Sequence, residues 1–148
     1  MWLKPGCASL RMMSPEERIT AELVAEPAVR FALLYGSRAE GRPRPNSDWD
    51  VAVYLDPMLD SRGRLQVRLR LSAALAPEFD LDCAVLNDAP ALLAHRALRG
   101  RVLMKRDASA YVRFFVRTLA AAQDERYYRE LHRAARARRL EGGTYGRA

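Results

Sequence analysis

Two short apolar runs, Phe31-Ala32-Leu33-Leu34-Tyr35 and Val51-Ala52-Val53-Tyr54-Leu55, interrupt an otherwise mixed pattern and predict strands over 29–35 and 49–55. Each has the length and continuous hydrophobicity of a strand buried on both faces. Ahead of them, Ser14-Pro15-Glu16-Glu17 is a helix start, with a capping serine, a first-turn proline and a glutamate three residues after the cap. Ile19, Leu23 and Val24 are the expected inner face of that helix, and Pro27 stops it. Val67, Leu71, Ala74 and Leu75 recur at helical spacing within 61–76, with Arg62, Arg64, Arg68 and Arg70 on the solvated side and Pro77 at the end. Residues 79–86 predict a third strand, Asn87 and Pro90 open a further helix closed by Gly100, and 101–104 predicts an edge strand. A long helix over 108–139 places Tyr111, Phe115, Leu119 and Ala122 on a packing face. Its second half carries Tyr127 and Tyr128 among Arg126, Arg129, Arg133, Arg136, Arg138 and Arg139, which suits a partner or acidic surface as well as solvent.

This order of elements predicts an α/β (α+β) fold, a small mixed sheet of about four strands packed with helices. The first two strands are close enough in sequence to pair antiparallel. The second and third are joined through a helix, which favours a parallel, right-handed crossover. One domain over 14–139 is expected, with a disordered extension over 1–13 and a flexible tail over 140–148.

Composition narrows the functional classes. Hydrophobic residues make up 49% of the 148, enough for a folded core. No apolar run approaches membrane-spanning length, and residues 1–13 lack the continuous apolar stretch of a signal peptide, so a cytoplasmic location is expected. Cys7 and Cys83 make neither a disulfide framework nor a zinc site. The net charge of +7, carried almost wholly by arginine, would attract nucleotides, nucleic acid or an acidic partner without distinguishing them. Direct nucleic-acid binding is disfavoured, because no basic strand is interleaved with aromatics as single-strand binders require.

The segment between the two core strands carries the chemistry. Gly36-Ser37 is followed, after ten residues, by Asp48-Trp49-Asp50. Asp48 and Asp50 project to one side of an extended chain and would grip a hard cation such as Mg²⁺. Gly36 permits a tight turn after a strand, and Ser37 offers a hydroxyl and an amide where a helix would begin, a seat for phosphate. Phosphates beside metal-binding carboxylates suggest a nucleoside triphosphate. Gly-Ser and Asp-x-Asp are each common in loops, yet together at this spacing they would arise by chance on the order of once in a thousand such chains. If the third strand runs parallel to the second, Asp80 or Asp82 arrives at the same sheet edge, where an aspartate inside a core strand needs a partner.

Gly36-Ser37, ten residues, then Asp48-Trp49-Asp50 resembles the signature of the DNA polymerase beta type nucleotidyltransferase superfamily. Within it, the short chain resembles the minimal nucleotidyltransferase (MNT) antitoxins paired with HEPN ribonuclease toxins, over residues 14 to 139. Glu40, where a basic residue is common, and Trp49, where an aliphatic one is usual, depart from the pattern. The run Asp82-Cys83-Ala84-Val85-Leu86-Asn87 resembles the family's third-carboxylate strand and selects Asp82 over its neighbour Asp80.

The resemblance implies an antitoxin that adenylylates a protein, moving AMP from ATP to a hydroxyl, a tyrosine's, on a cognate HEPN toxin. Asp48, Asp50 and Asp82 would then be the catalytic and metal-binding residues for Mg²⁺, Gly36 and Ser37 would seat the phosphates, and Arg38 would support the departing pyrophosphate. Assembly as a homo-oligomer or as a hetero-oligomer with the toxin fits the same reading. The HEPN pattern of Arg, four residues, His, one residue, Tyr is absent, since neither His95 nor His132 has an arginine five places earlier. The chain therefore reads as the transferase half of such a pair. Two alternatives remain open at this point: a transferase acting on a small hydroxylated molecule such as an aminoglycoside, and an antitoxin acting by binding alone.

Overall fold

Strands β1 (Val29–Tyr35), β2 (Trp49–Leu55), β3 (Leu81–Val85) and β4 (Arg101–Lys105) form one mixed sheet in the order β3-β2-β1-β4. The computed structural model describes residues 13–141, with side chains through Arg138. The expected extension and tail, apart from their inner ends, lie outside the described residues. Helices α1 (Pro15–Ala25), α2 (Gly36–Ala39), α3 (Ser61–Leu75), α4 (Ala91–Leu98) and α5 (Ala108–Glu141) complete the fold. β1 pairs antiparallel with β2, and β2 pairs parallel with β3, the direction that the helical connection favoured. Among the described residues no helix is long and apolar enough to cross a membrane.

The two central strands are apolar on both faces because helices cover both sides. Ala32 and Leu34 of β1 and Val51, Val53 and Leu55 of β2 pack with Ile19 and Leu23 of α1 and Val67, Leu71 and Leu75 of α3. Phe31, Leu33, Tyr35 and Ala52 point the other way, onto Ala94 and Ala97 of α4 and Ala110 and Phe114 of α5. Period-2 alternation accounts for this division. Val29 joins the α1/α3 side despite its odd number because the register shifts between Val29 and Phe31.

Several local expectations need correction. Val24 is 52% exposed and Ala74 is also exposed, so the inner faces of α1 and α3 are narrower than the apolar spacing implied. Along α5 the buried positions are Ala110, Phe114 and Thr118, while Phe115 and Leu119 are each 38% exposed. The apolar stripe of this helix is wide enough to offer two inner faces. Phe114 decides between them by joining Phe31 and Tyr54, at ring separations of 5.5 and 5.7 Å. Arg64 and Arg70 are not simply solvated: they ion-pair with Asp88 and Glu26, tying α3 to its neighbours. Asn87 does not start α4. Its amide accepts from the Leu55 N–H and donates to the Leu55 carbonyl, both at 2.9 Å, so it closes the end of β2 like a paired strand residue.

Gly100 connects α4 to β4 where no side chain fits. A Cβ there would lie 1.9 Å from the Leu34 carbonyl oxygen and 3.0 Å from the Tyr35 Cα. These are backbone atoms that cannot turn aside, so the close approach pins the end of α4 against the end of β1. Gly100→Ala is expected to destabilise the protein by about 2–4 kcal/mol through overpacking. Urea unfolding of the purified variant, with an unchanged m-value, checks this.

Candidate active site

The end of β1 and the start of β2 meet at one sheet edge, where Tyr35 is the register partner of Asp50. β3 starts at that same edge, and its parallel register sets Asp82 directly beside Asp50. The Trp49 N–H donates to the Asp80 carbonyl at 2.8 Å, which locks the two strand starts together. Cys83 and Val51 pack on the α1/α3 side. By alternation, Asp82 and Asp50 therefore share the opposite face with Asp48, two residues before Asp50. Asp82, not Asp80, is the aspartate that faces Asp50.

Gly36 makes room for this arrangement. It takes a left-handed φ of 71°, and a Cβ on it would fall 2.2 Å from Asp50 Oδ2. The Asp50 carboxylate thus lies against the bare backbone of the turn that begins α2 and continues into Ser37. The following loop is held by its own contacts: Ser47 Oγ accepts from the Arg44 N–H at 2.8 Å, and the Ser47 N–H donates to the Arg44 carbonyl at 3.0 Å. That turn delivers Asp48 to the start of β2.

Arg38 is engaged within the same loop. Its Nε and a terminal nitrogen donate to the Ser47 carbonyl at 2.9 and 2.6 Å, and its guanidinium carbon sits 4.3 Å from the Trp49 ring centroid. Trp49 in turn packs edge-on against Phe79 at 6.1 Å. The tryptophan that departs from the usual pattern is therefore a platform for Arg38 on the α1/α3 side of the sheet.

Charge is concentrated on the carboxylate face. Burial first, then Asp82 and Asp48, holds the Asp50 pKa above the ordinary carboxylate value, and Arg96 partly offsets this. Burial first, then Asp82 and Asp50, raises the Tyr35 phenol. Burial pushes the Cys83 thiol up to about 11, which leaves it protonated and inert as a nucleophile.

Sequence reasoning anticipated three aspartates closing on one ion. The structure brings Asp50 and Asp82 side by side with Asp48 in electrostatic reach, but among the described residues no three acidic, imidazole or thiol groups form a ready-made cage. Asp82 is also exposed, because β3 is a sheet edge and starts at Leu81 rather than at 79. It is not a carboxylate trapped in a core. The set still fits Mg²⁺: its donors are all carboxylate oxygens, a cation would relieve the repulsion felt by Asp50, and Mg²⁺ usually takes one or two carboxylates plus substrate phosphates.

Arg96 is the residue of this site that sequence reasoning missed. No motif marks it. The available signal was topological, since a helix that returns to β4, antiparallel neighbour of β1, must end near the tip of β1.

Comparison with known proteins agrees with this geometry. Residues 17–109 match the family model described as Polymerase beta, Nucleotidyltransferase. The chain is 30% identical over 127 residues to the protein adenylyltransferase MntA of Aphanizomenon flos-aquae (strain 2012/KM1/D3), covering 78% of this chain and 79% of that protein. It superposes with a TM-score of 0.63 on a chain of a toxin–antitoxin complex crystallised with AMP-PNP, at 25% identity and over 81% of this chain and 96% of that one. A chain from the complex of tri-AMPylated Shewanella oneidensis HEPN toxin with MNT antitoxin shares the fold, with a TM-score of 0.58 at 23% identity over 82% of this chain and 94% of that one. With the family model spanning the turn, the carboxylate strand and the parallel strand beside it, the chain belongs to the polymerase beta nucleotidyltransferase family.

Proposed function

We propose that the chain is an antitoxin protein adenylyltransferase: it transfers AMP from ATP to a hydroxyl, a tyrosine's, of a cognate HEPN ribonuclease toxin and so neutralises it. The observation that carries the chemistry is the Asp50–Asp82 pair on adjacent parallel strands, set against the Gly36 turn. The acceptor class is supported by the 30% identity to a protein adenylyltransferase and by the likeness to a toxin–antitoxin complex with an ATP analogue. A single working domain over 14–139 and a cytoplasmic site of action belong to the same proposal.

In this mechanism Gly36 and Ser37 seat the phosphate chain at the end of β1. Asp48 and Asp50 would hold Mg²⁺, with Asp82 completing its protein ligands. When bound, the ion supplies charge neutralisation on the triphosphate and orients it for in-line displacement. The acceptor oxygen forms its bond to the α-phosphorus as the bond from that phosphorus to the bridging oxygen breaks, and pyrophosphate leaves. The acceptor proton passes to Asp82, which is exposed on the edge strand and accessible to a protein substrate. Arg38 acts here by holding the Ser47 carbonyl, and with it the loop that presents Asp48. Support of the departing pyrophosphate by Arg38 would require its guanidinium to leave Trp49. Catalysis by positioning and charge neutralisation requires no second domain.

The test is incubation of the full chain with ATP, Mg²⁺ and a HEPN protein offered as its partner. Intact-mass measurement should show the partner gaining one or more AMP groups and losing ribonuclease activity. A partner neutralised without any mass change would overturn the enzymatic reading in favour of inhibition by binding.

A further inference from the structure

The carboxylate face needs positive charge to hold a nucleoside polyphosphate; within the Gly36–Asp50 segment the Arg38 guanidinium is bound to the Ser47 carbonyl and stacked on Trp49, and Arg42 and Arg44 lie in the exposed loop. α4 supplies another. It ends at Leu98, two residues before Gly100 is pressed onto Leu34 and Tyr35, so its last turn is fixed at the site edge. Arg96 stands in that turn, with its guanidinium carbon 6.0 Å from the Tyr35 ring centroid. Tyr35 is the register partner of Asp50.

Arg96 is exposed and, among the described residues, has no carboxylate at ion-pair distance. Its guanidinium nevertheless lies over the ring of Tyr35, at the sheet edge where Asp50 and Asp82 stand on adjacent strands. A guanidinium held beside a carboxylate cluster without closing onto it keeps its donors for a third, anionic group. Its planar fork suits phosphate oxygens.

We propose that Arg96 is a nucleotide-binding residue that donates to a non-bridging oxygen of the ATP phosphate chain, so that α4 forms a wall of the site opposite the Gly36 turn. This rests on the nucleotidyl-transfer reading above. Arg96 accepts no proton and forms no bond in the reaction; its contribution is charge and orientation.

The experiment compares wild type, Arg96→Gln and Arg96→Lys as full-length proteins, using calorimetric titration with ATP in Mg²⁺, steady-state adenylylation of the partner, and thermal melting. Arg96→Gln should weaken ATP binding and raise the KM for ATP by about tenfold, the scale of one charge-assisted contact, with the KM for the protein acceptor unchanged. Arg96→Lys should recover part of the loss, since it restores charge without the fork. A role confined to balancing Asp50 and Asp82 would move the melting temperature and leave ATP affinity alone, which overturns the assignment. Equal ATP affinity in wild type and Arg96→Gln also overturns it while leaving the transferase reading intact. Failure of the wild type itself to bind ATP removes both.

Discussion

Alanine at Asp50 is expected to reduce adenylyl transfer by about a thousandfold or more, a loss of roughly 4 kcal/mol of transition-state stabilisation, while the protein remains folded. Asp50 is the central carboxylate: Tyr35 lies across from it on β1, Asp82 lies beside it on β3, and Asp48 shares its face two residues earlier. Removing it would deprive the proposed metal site of a ligand that neither neighbour replaces. The stability should change in the opposite sense. Burial, Asp82 and Asp48 raise the Asp50 pKa, so the folded protein binds that proton more tightly than the unfolded chain does. Stability from this group is therefore greatest below its unfolded pKa and is lost as pH rises through the raised folded value. Without added metal at neutral pH, Asp50→Asn should melt no lower than the parent. Single-turnover transfer assays and melting curves recorded with and without Mg²⁺ check both halves. An antitoxin that works by binding alone would keep its activity in both variants and in the Asp48→Ala, Asp50→Ala double variant.

Gly36→Ala should be nearly as damaging to activity, about a hundredfold, although it removes no functional group. The added Cβ would sit 2.2 Å from Asp50 Oδ2, so the carboxylate must swing away from the turn that faces it. The left-handed backbone also costs an alanine about 1–2 kcal/mol. Gly41→Ala separates these effects, because Gly41 has nearly the same φ, 70°, with nothing within 4 Å of its Cβ position. The Gly41 variant should lose stability from strain alone and keep its transfer rate. Equal activity in the two variants would show that the close approach of Gly36 to Asp50 has no catalytic consequence.

Much of this architecture was legible because the strongest local signals agreed. The apolar runs predicted β1 and β2 at the bounds they occupy, Ser14 caps α1 with Glu17 in the reciprocal box, and the helix between β2 and β3 implied their parallel pairing. The Gly36-Ser37 and Asp48-Trp49-Asp50 motif was legible for the same reason: its residues are fixed by turn geometry and period-2 alternation within one short segment. What alternation alone could not resolve was burial. Asp82 was expected inside a core strand and lies exposed on an edge, and Phe115 and Leu119 were expected to pack where Phe114 and Thr118 do.

The amino-acid sequence by itself determined the order of elements, the two-sided core strands and the carboxylate pair Asp48 and Asp50, because each depends on neighbours a few residues away in the chain. Only the tertiary structure decided that β3 lies at the edge, that Gly36 must be bare to admit the Asp50 carboxylate, that Arg38 is stacked on Trp49, and that Arg96 reaches the site from α4. These are contacts between segments whose separation along the chain carries no period, and they are set by which faces the sheet and helices bury together.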